Sequence, residues 1–126
     1  MINIIERLTR FGLVGSLAML VHWLTVALIC SYNIVPAYAN ILGFIAAFQV
    51  SYFGHCYWTF ATDSIISHPK TVSRFFIISS FSFILNQFLY IILLHYTSLN
   101  YLVALAIVLL SVSIVTFVTS SMWVFK

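Results

Sequence analysis

Four long stretches of this chain contain no lysine, arginine, aspartate or glutamate: residues 11–32, 36–60, 75–95 and 101–125. At about 1.5 Å per helical residue, each reaches roughly 30 Å or more, the thickness of a bilayer's hydrocarbon core. The runs are continuous rather than alternating. That argues against a transmembrane β-barrel and leaves the helix, the other structure that satisfies its own backbone in lipid. Composition agrees, because 63% of the 126 residues are hydrophobic and 6% are charged, against roughly a quarter charged in soluble domains. The sequence therefore predicts an all-α polytopic membrane protein, a single domain over 1–126 with four transmembrane helices at about the limits above.

The five basic residues, Arg7, Arg10, Lys70, Arg74 and Lys126, lie near the N-terminus, in or at the end of the central connection 61–73 and at the C-terminus. The two short turns, near 33–36 and 96–100, have none. This bias predicts a multi-pass protein with both termini and the central connection in the cytoplasm. It is a topology signal and forms no basic stripe, so no nucleic-acid partner is expected. Ahead of the first run Glu6 and Arg10 stand four apart, on one face if helical. Without a small-residue cleavage pattern this start reads as a retained first helix.

The chain also matches itself. Residues 51–60, SYFGHCYWTF, overlie 116–125, TFVTSSMWVF, at an offset of 65, pairing Ser51 with Thr116, Tyr52 with Phe117, Trp58 with Trp123 and Phe60 with Phe125. Arg10-Phe11 and Arg74-Phe75 open the two halves at an offset of 64. The pattern predicts two tandem two-helix repeats, and an even number of spans per copy puts their pseudo-twofold along the membrane normal.

Polar groups inside the runs are the candidate functional residues. His22 and Asn86 each stand 12 residues after the arginine that opens their copy, so they share a depth near mid-membrane. Two roles are open to them: lining a central substrate cavity, or a structural hydrogen bond between helices. His22 should be neutral there, with Asn86 as its expected partner, directly or through water. Arg10 and Arg74 could fork onto a phosphate or snorkel to lipid headgroups. Trp58 and Trp123 could stack on a sugar or belong to an interfacial aromatic belt. On the second run Ala39, Gly43, Ala47 and Ser51 recur every four residues, a stripe that predicts the bundle's closest helix–helix contact. The matching positions in the fourth run, Ala104, Val108, Val112 and Thr116, are bulkier. No nucleophile–base set, phosphate loop or clustered metal ligands stand out, so catalysis, a metal and other cofactors are not expected. Cys30 and Cys56 fall near opposite faces, too far apart in depth for a disulfide.

Over nearly the whole chain the sequence resembles the GtrA-like family of small four-helix bacterial membrane proteins. The resemblance rests on Arg10-Phe11 with Gly15, Ala39, the close at Tyr52, Trp58 and Phe60, and its repeat at Phe117, Trp123 and Phe125. It implies a location in the bacterial cytoplasmic membrane. It also implies flipping of a polyprenyl-phosphate-linked monosaccharide to the outer leaflet, where a membrane glycosyltransferase uses it to modify O-antigen or another surface polysaccharide. The sequence departs from the family at His22, where an acidic residue is common, and at Ser51 and Thr116, where Asn is common. It also lacks basic residues near His55-Cys56 and Ser120-Ser121. Two other functions are compatible with four such runs: a non-transporting scaffold that docks a glycosyltransferase, and a small multidrug exporter. The exporter needs an intramembrane carboxylate, which the runs lack. Four short helices enclose little volume, so a homodimer or larger assembly among membrane lipids is expected.

Overall fold

The computed structural model describes residues 3–59, 69–119 and 122–123. Its four helices are α1 (Ile4–Cys30), α2 (Pro36–Gly54), α3 (Pro69–Tyr96) and α4 (Tyr101–Thr119), and α2 continues into a π-helical turn at His55–Thr59. Three helices contain a segment long and apolar enough to cross a membrane: Leu8–Cys30 in α1, Ser73–Tyr96 in α3 and Tyr101–Thr119 in α4. α2 is 19 residues long and carries Tyr38, Asn40, Gln49 and Tyr52 along its run.

Two helices begin earlier than hydropathy suggests, because capping and side-chain pairing do not follow apolar runs. Asn3 Oδ1 accepts the Glu6 N–H at 2.7 Å, and Arg10 Nη2 donates to Glu6 Oε1 at 2.7 Å, so α1 starts at Ile4 rather than at residue 11. α3 starts at Pro69, inside the stretch read as a loop. Proline lacks only an N–H that the first turn leaves unpaired anyway. Asn33, at φ 64°, turns the chain between α1 and α2, and Pro36 opens α2. Asn100 Oδ1 accepts the Leu102 N–H at 2.8 Å and caps α4. Phe60 and Phe125, the last residues of the two matched segments, lie outside the described residues.

α2 returns antiparallel along α1, with Gly43 against His22 and Val26 and Gly54 against Val14. A methyl group at Gly43 would stand 2.7 Å from His22 Cδ2 and 3.1 Å from the His22 carbonyl oxygen, so here the absence of Cβ sets the helix spacing. Ala39 and Ala47 are buried in the same row and Ser51 is half-buried. In α4 Ala104, Val108 and Val112 are buried too, but α3 and α4 pack less closely than α1 and α2. A core cluster of apolar side chains fills the half of the bundle nearest the two hairpin turns, around Val26, Tyr90, Leu105 and Val108.

Two contacts that tie the helix pairs together match at the repeat offsets. Trp23 Nε1 donates to the Leu102 carbonyl at 2.9 Å, and Gln87 Nε2 donates to the Ala37 carbonyl at 3.0 Å. Outside, Leu13, Leu17, Leu20, Leu24 and Leu28 form an exposed stripe along α1. The buried positions meanwhile include His22, Asn40, Ser82 and Asn86. Apolar outward and polar inward is the distribution a hydrocarbon solvent selects.

Candidate functional site

The other half of the bundle, nearer the chain termini, holds a partly open cavity of about 250 Å³. Its walls come from the matching halves of all four helices: residues 11–22 of α1, 44–51 of α2 with His55, 79–86 of α3 and 109–117 of α4. Glycine and hydroxyl side chains make the room, since Gly12, Gly15, Ser16, Ser51, Ser79 and Ser113 all line it. A Cβ at Gly12 or Gly15 would meet nothing within 4 Å. Across the cavity wall Ser82 and Thr116 share a hydrogen bond of 2.7 Å.

At mid-depth the cavity ends on a buried polar network. His22 and Asn86 both line it, and no direct bond joins them. Asn40, fully buried on α2, stands between them. Its Oδ1 lies 2.7 Å from His22 Nε2, and its Nδ2 donates to Asn86 Oδ1 and Gln87 Oε1, each at 2.7 Å. The directions of these bonds are fixed from one end. Gln87 donates to the Ala37 carbonyl, which can only accept, so Gln87 presents its oxygen to Asn40. Asn40 therefore presents its nitrogen to Gln87 and Asn86, and its oxygen to His22. His22 Nε2 must then carry the proton.

At the termini end Phe11 stacks on buried His55 with ring centroids 4.5 Å apart and leans on Phe117 at 5.7 Å. His55 Nδ1 lies 3.1 Å from Thr59 Oγ1. The arginines and tryptophans picked out by the sequence sit beyond this cluster and do not line the cavity. Each arginine pairs with the tryptophan of its own half of the chain. Arg10 Nη1 donates to the Trp58 carbonyl at 2.9 Å with its guanidinium 5.4 Å from the Trp58 ring centre. Arg74 Nη1 donates to the Trp123 carbonyl at 3.1 Å and lies 5.5 Å from that ring centre. Each guanidinium satisfies a carbonyl at a helix end and lies over the aromatic face beside it. The two clasps differ in charge. Glu6 pairs with Arg10, whereas the residue four before Arg74 is Lys70.

Sequence reasoning brings His22 and Asn86 to one cavity end but omits Asn40 from the site. The omission has a cause in the repeat, because the position matching Asn40 in the second copy is Leu105. A signal was present: Asn40 is an uncompensated amide flanking Ala39 and Gly43, next to the stripe predicted to meet another helix.

Fold and cavity together define an all-α membrane protein whose polar groups face an internal site rather than lipid. The family described as GtrA/DPMS, transmembrane domain, matches residues 10–125, and the chain belongs to that family. Membership is in keeping with a membrane role connected with glycosyl lipids. No curated protein and no solved structure matches the chain.

Proposed function

We propose that this protein flips a polyprenyl-phosphate-linked monosaccharide across the bacterial cytoplasmic membrane, for modification of O-antigen or another cell-surface polysaccharide. The observation that carries the reading is the cavity, which reaches from the aromatic cluster at the termini side to a polar end at mid-depth. A bundle that only filled lipid would gain nothing from such a space, since internal voids forfeit packing. A polar headgroup crossing a bilayer needs one. The carrier's polyprenyl tail would remain in lipid against the exposed apolar stripes. The chain acts here as a carrier rather than an enzyme, and a glycosyltransferase in the same membrane consumes the delivered sugar.

On this reading α2 crosses the membrane as the fourth span and the chain is two tandem repeats. The twin Arg–Trp clasps and the reciprocal Trp23–Leu102 and Gln87–Ala37 bonds support the repeats. The distribution of the five basic residues supports placing the termini and the α2–α3 connection in the cytoplasm, so the cavity faces the leaflet where the lipid-linked sugar is made. The test is reconstitution in vesicles with a lipid-linked sugar loaded in one leaflet, followed by leaflet-specific chemical labelling. Protein-dependent movement at a rate above empty vesicles is expected. Absence of movement, together with co-purification of a glycosyltransferase, would favour the scaffold instead.

A further inference from the structure

The polar groups at the cavity's end are not all used by the network. His22 Nε2–H is taken by Asn40, and the Cδ2 edge of the same ring lies against Gly43, so α2 covers that side of the imidazole. The opposite edge of the ring, which these α2 contacts leave uncovered, carries Nδ1. With the proton held on Nε2, Nδ1 of the neutral ring is an acceptor, and it has no hydrogen-bond partner among the described residues. Asn86 is in the complementary position. Its oxygen accepts from Asn40, which leaves the two donors of Nδ2, and these too have no partner among the described residues. Both side chains are about 2% exposed and both line the cavity. Leaving such groups unpaired in a buried site costs free energy, which a ligand with matching groups recovers.

We infer that His22 Nδ1 and Asn86 Nδ2 form a subsite for an uncharged hydroxyl group, the headgroup's sugar entering the cavity ahead of its phosphate. A hydroxyl donates to Nδ1 and accepts from Nδ2 at once, and two neighbouring hydroxyls can divide the roles. A phosphate oxygen without a proton has nothing to give Nδ1 and meets its lone pair instead. The selectivity follows from the Ala37 carbonyl, since it fixes the amide directions and through them the histidine tautomer. This rests on reading the cavity as the headgroup's path, and adds which part of the headgroup reaches the end of it.

The test is nitrogen NMR of ¹⁵N-histidine-labelled protein in lipid nanodiscs, with His22 assigned by comparison with His22→Gln. The ligand-free protein should show a neutral His22 protonated on Nε2. Adding citronellyl-phosphate-linked glucose should move the Nδ1 resonance in the direction of an accepted hydrogen bond, whereas citronellyl methyl phosphate, a diester with no proton to give, should leave it in place. Asn86→Leu should weaken binding of the glucose probe about two- to tenfold, the worth of one net hydrogen bond, with little change for the phosphate probe. A ring protonated on Nδ1, or an equal response to both probes, overturns the subsite. Transport of lipid-linked sugar with a silent His22 also overturns it while leaving translocation intact. A His22 response to the sugar in protein that moves no lipid supports the subsite and removes translocation.

Discussion

Replacing Gly43 with alanine tests whether α1 and α2 are as close as their backbones indicate. The added Cβ would lie 2.7 Å from His22 Cδ2, 2.8 Å from Val26 Cγ2 and 3.1 Å from the His22 carbonyl oxygen. None of the three can step aside cheaply. The imidazole is bonded to Asn40, Val26 is β-branched and fully buried, and the carbonyl is backbone. The helices must therefore part by roughly 0.5–1 Å to restore ordinary carbon contacts near 3.5 Å. Overpacking of this kind costs about 1–3 kcal/mol, while replacing glycine in a helix returns up to about 1 kcal/mol. Parting the helices also stretches the 2.7 Å His22–Asn40 bond, adding on the order of 0.5 kcal/mol. The net expectation is a loss of about 0.5–2.5 kcal/mol when the three terms are combined. Gly12→Ala is the control, because its Cβ meets nothing within 4 Å; it should be neutral or slightly stabilising. Unfolding in mixed micelles by titration with a denaturing detergent measures both. If Gly43→Ala resisted the detergent as well as the original protein, the close approach would be wrong.

Other expected outcomes bear on topology, network and path. With Cys30 and Cys56 replaced, a single cysteine at Thr97 should react with an impermeant probe from outside and one at Thr71 only after the vesicle is opened; outside reaction at 71 would invert the orientation. Asn40→Leu should cost more than Gln87→Leu in the same detergent titration, by about 1 kcal/mol, because Asn40 holds three partners and Gln87 two; equal losses would mean that the network adds no stability of its own. His22→Leu should fold and lose transport while His22→Asn retains part of it, and a folded His22→Leu protein that flips at the normal rate would take His22 out of the path. Arg74→Ala should slow transport more than Arg10→Ala, since Glu6 already neutralises Arg10; the reverse order would show that the charge difference between the clasps has no role.

The all-α class and the helical segments were legible because lipid demands uncharged length, and length can be counted. The cavity was legible only through the repeat, which put His22 and Asn86 at one depth. Helix starts were not legible from hydropathy. Asn3, Glu6 and Pro69 act through backbone N–H groups and a fixed φ, which apolar runs do not record. Arg10 and Arg74 were read for their charge, whereas what places them is a helix-end carbonyl and a tryptophan face. Asn40 was hidden by the same device that revealed its partners: symmetry finds what both copies keep, and Asn40 faces a leucine in the comparison.

This asymmetry also bears on how the cavity's closed end could open. Within the first pair, Gly43 on His22 and Gly54 on Val14 leave α1 and α2 no slack. Between the pairs the contacts are fewer, and several are hydrogen bonds: Asn40 to Asn86 and Gln87, Gln87 to Ala37, and Trp23 to Leu102. Such bonds are worth on the order of 0.5–1.5 kcal/mol each in a membrane bundle, and a passing hydroxyl can exchange for them one at a time. Tearing α2 from α1 would instead expose a long seam of fitted surface at once. On the flipping reading proposed above, the cheaper movement for a passing headgroup is that of α3 and α4 against the α1–α2 unit. Asn40 and Gln87 each cross that boundary with two bonds, one of which they share, so this amide pair is the main polar tie between the helix pairs.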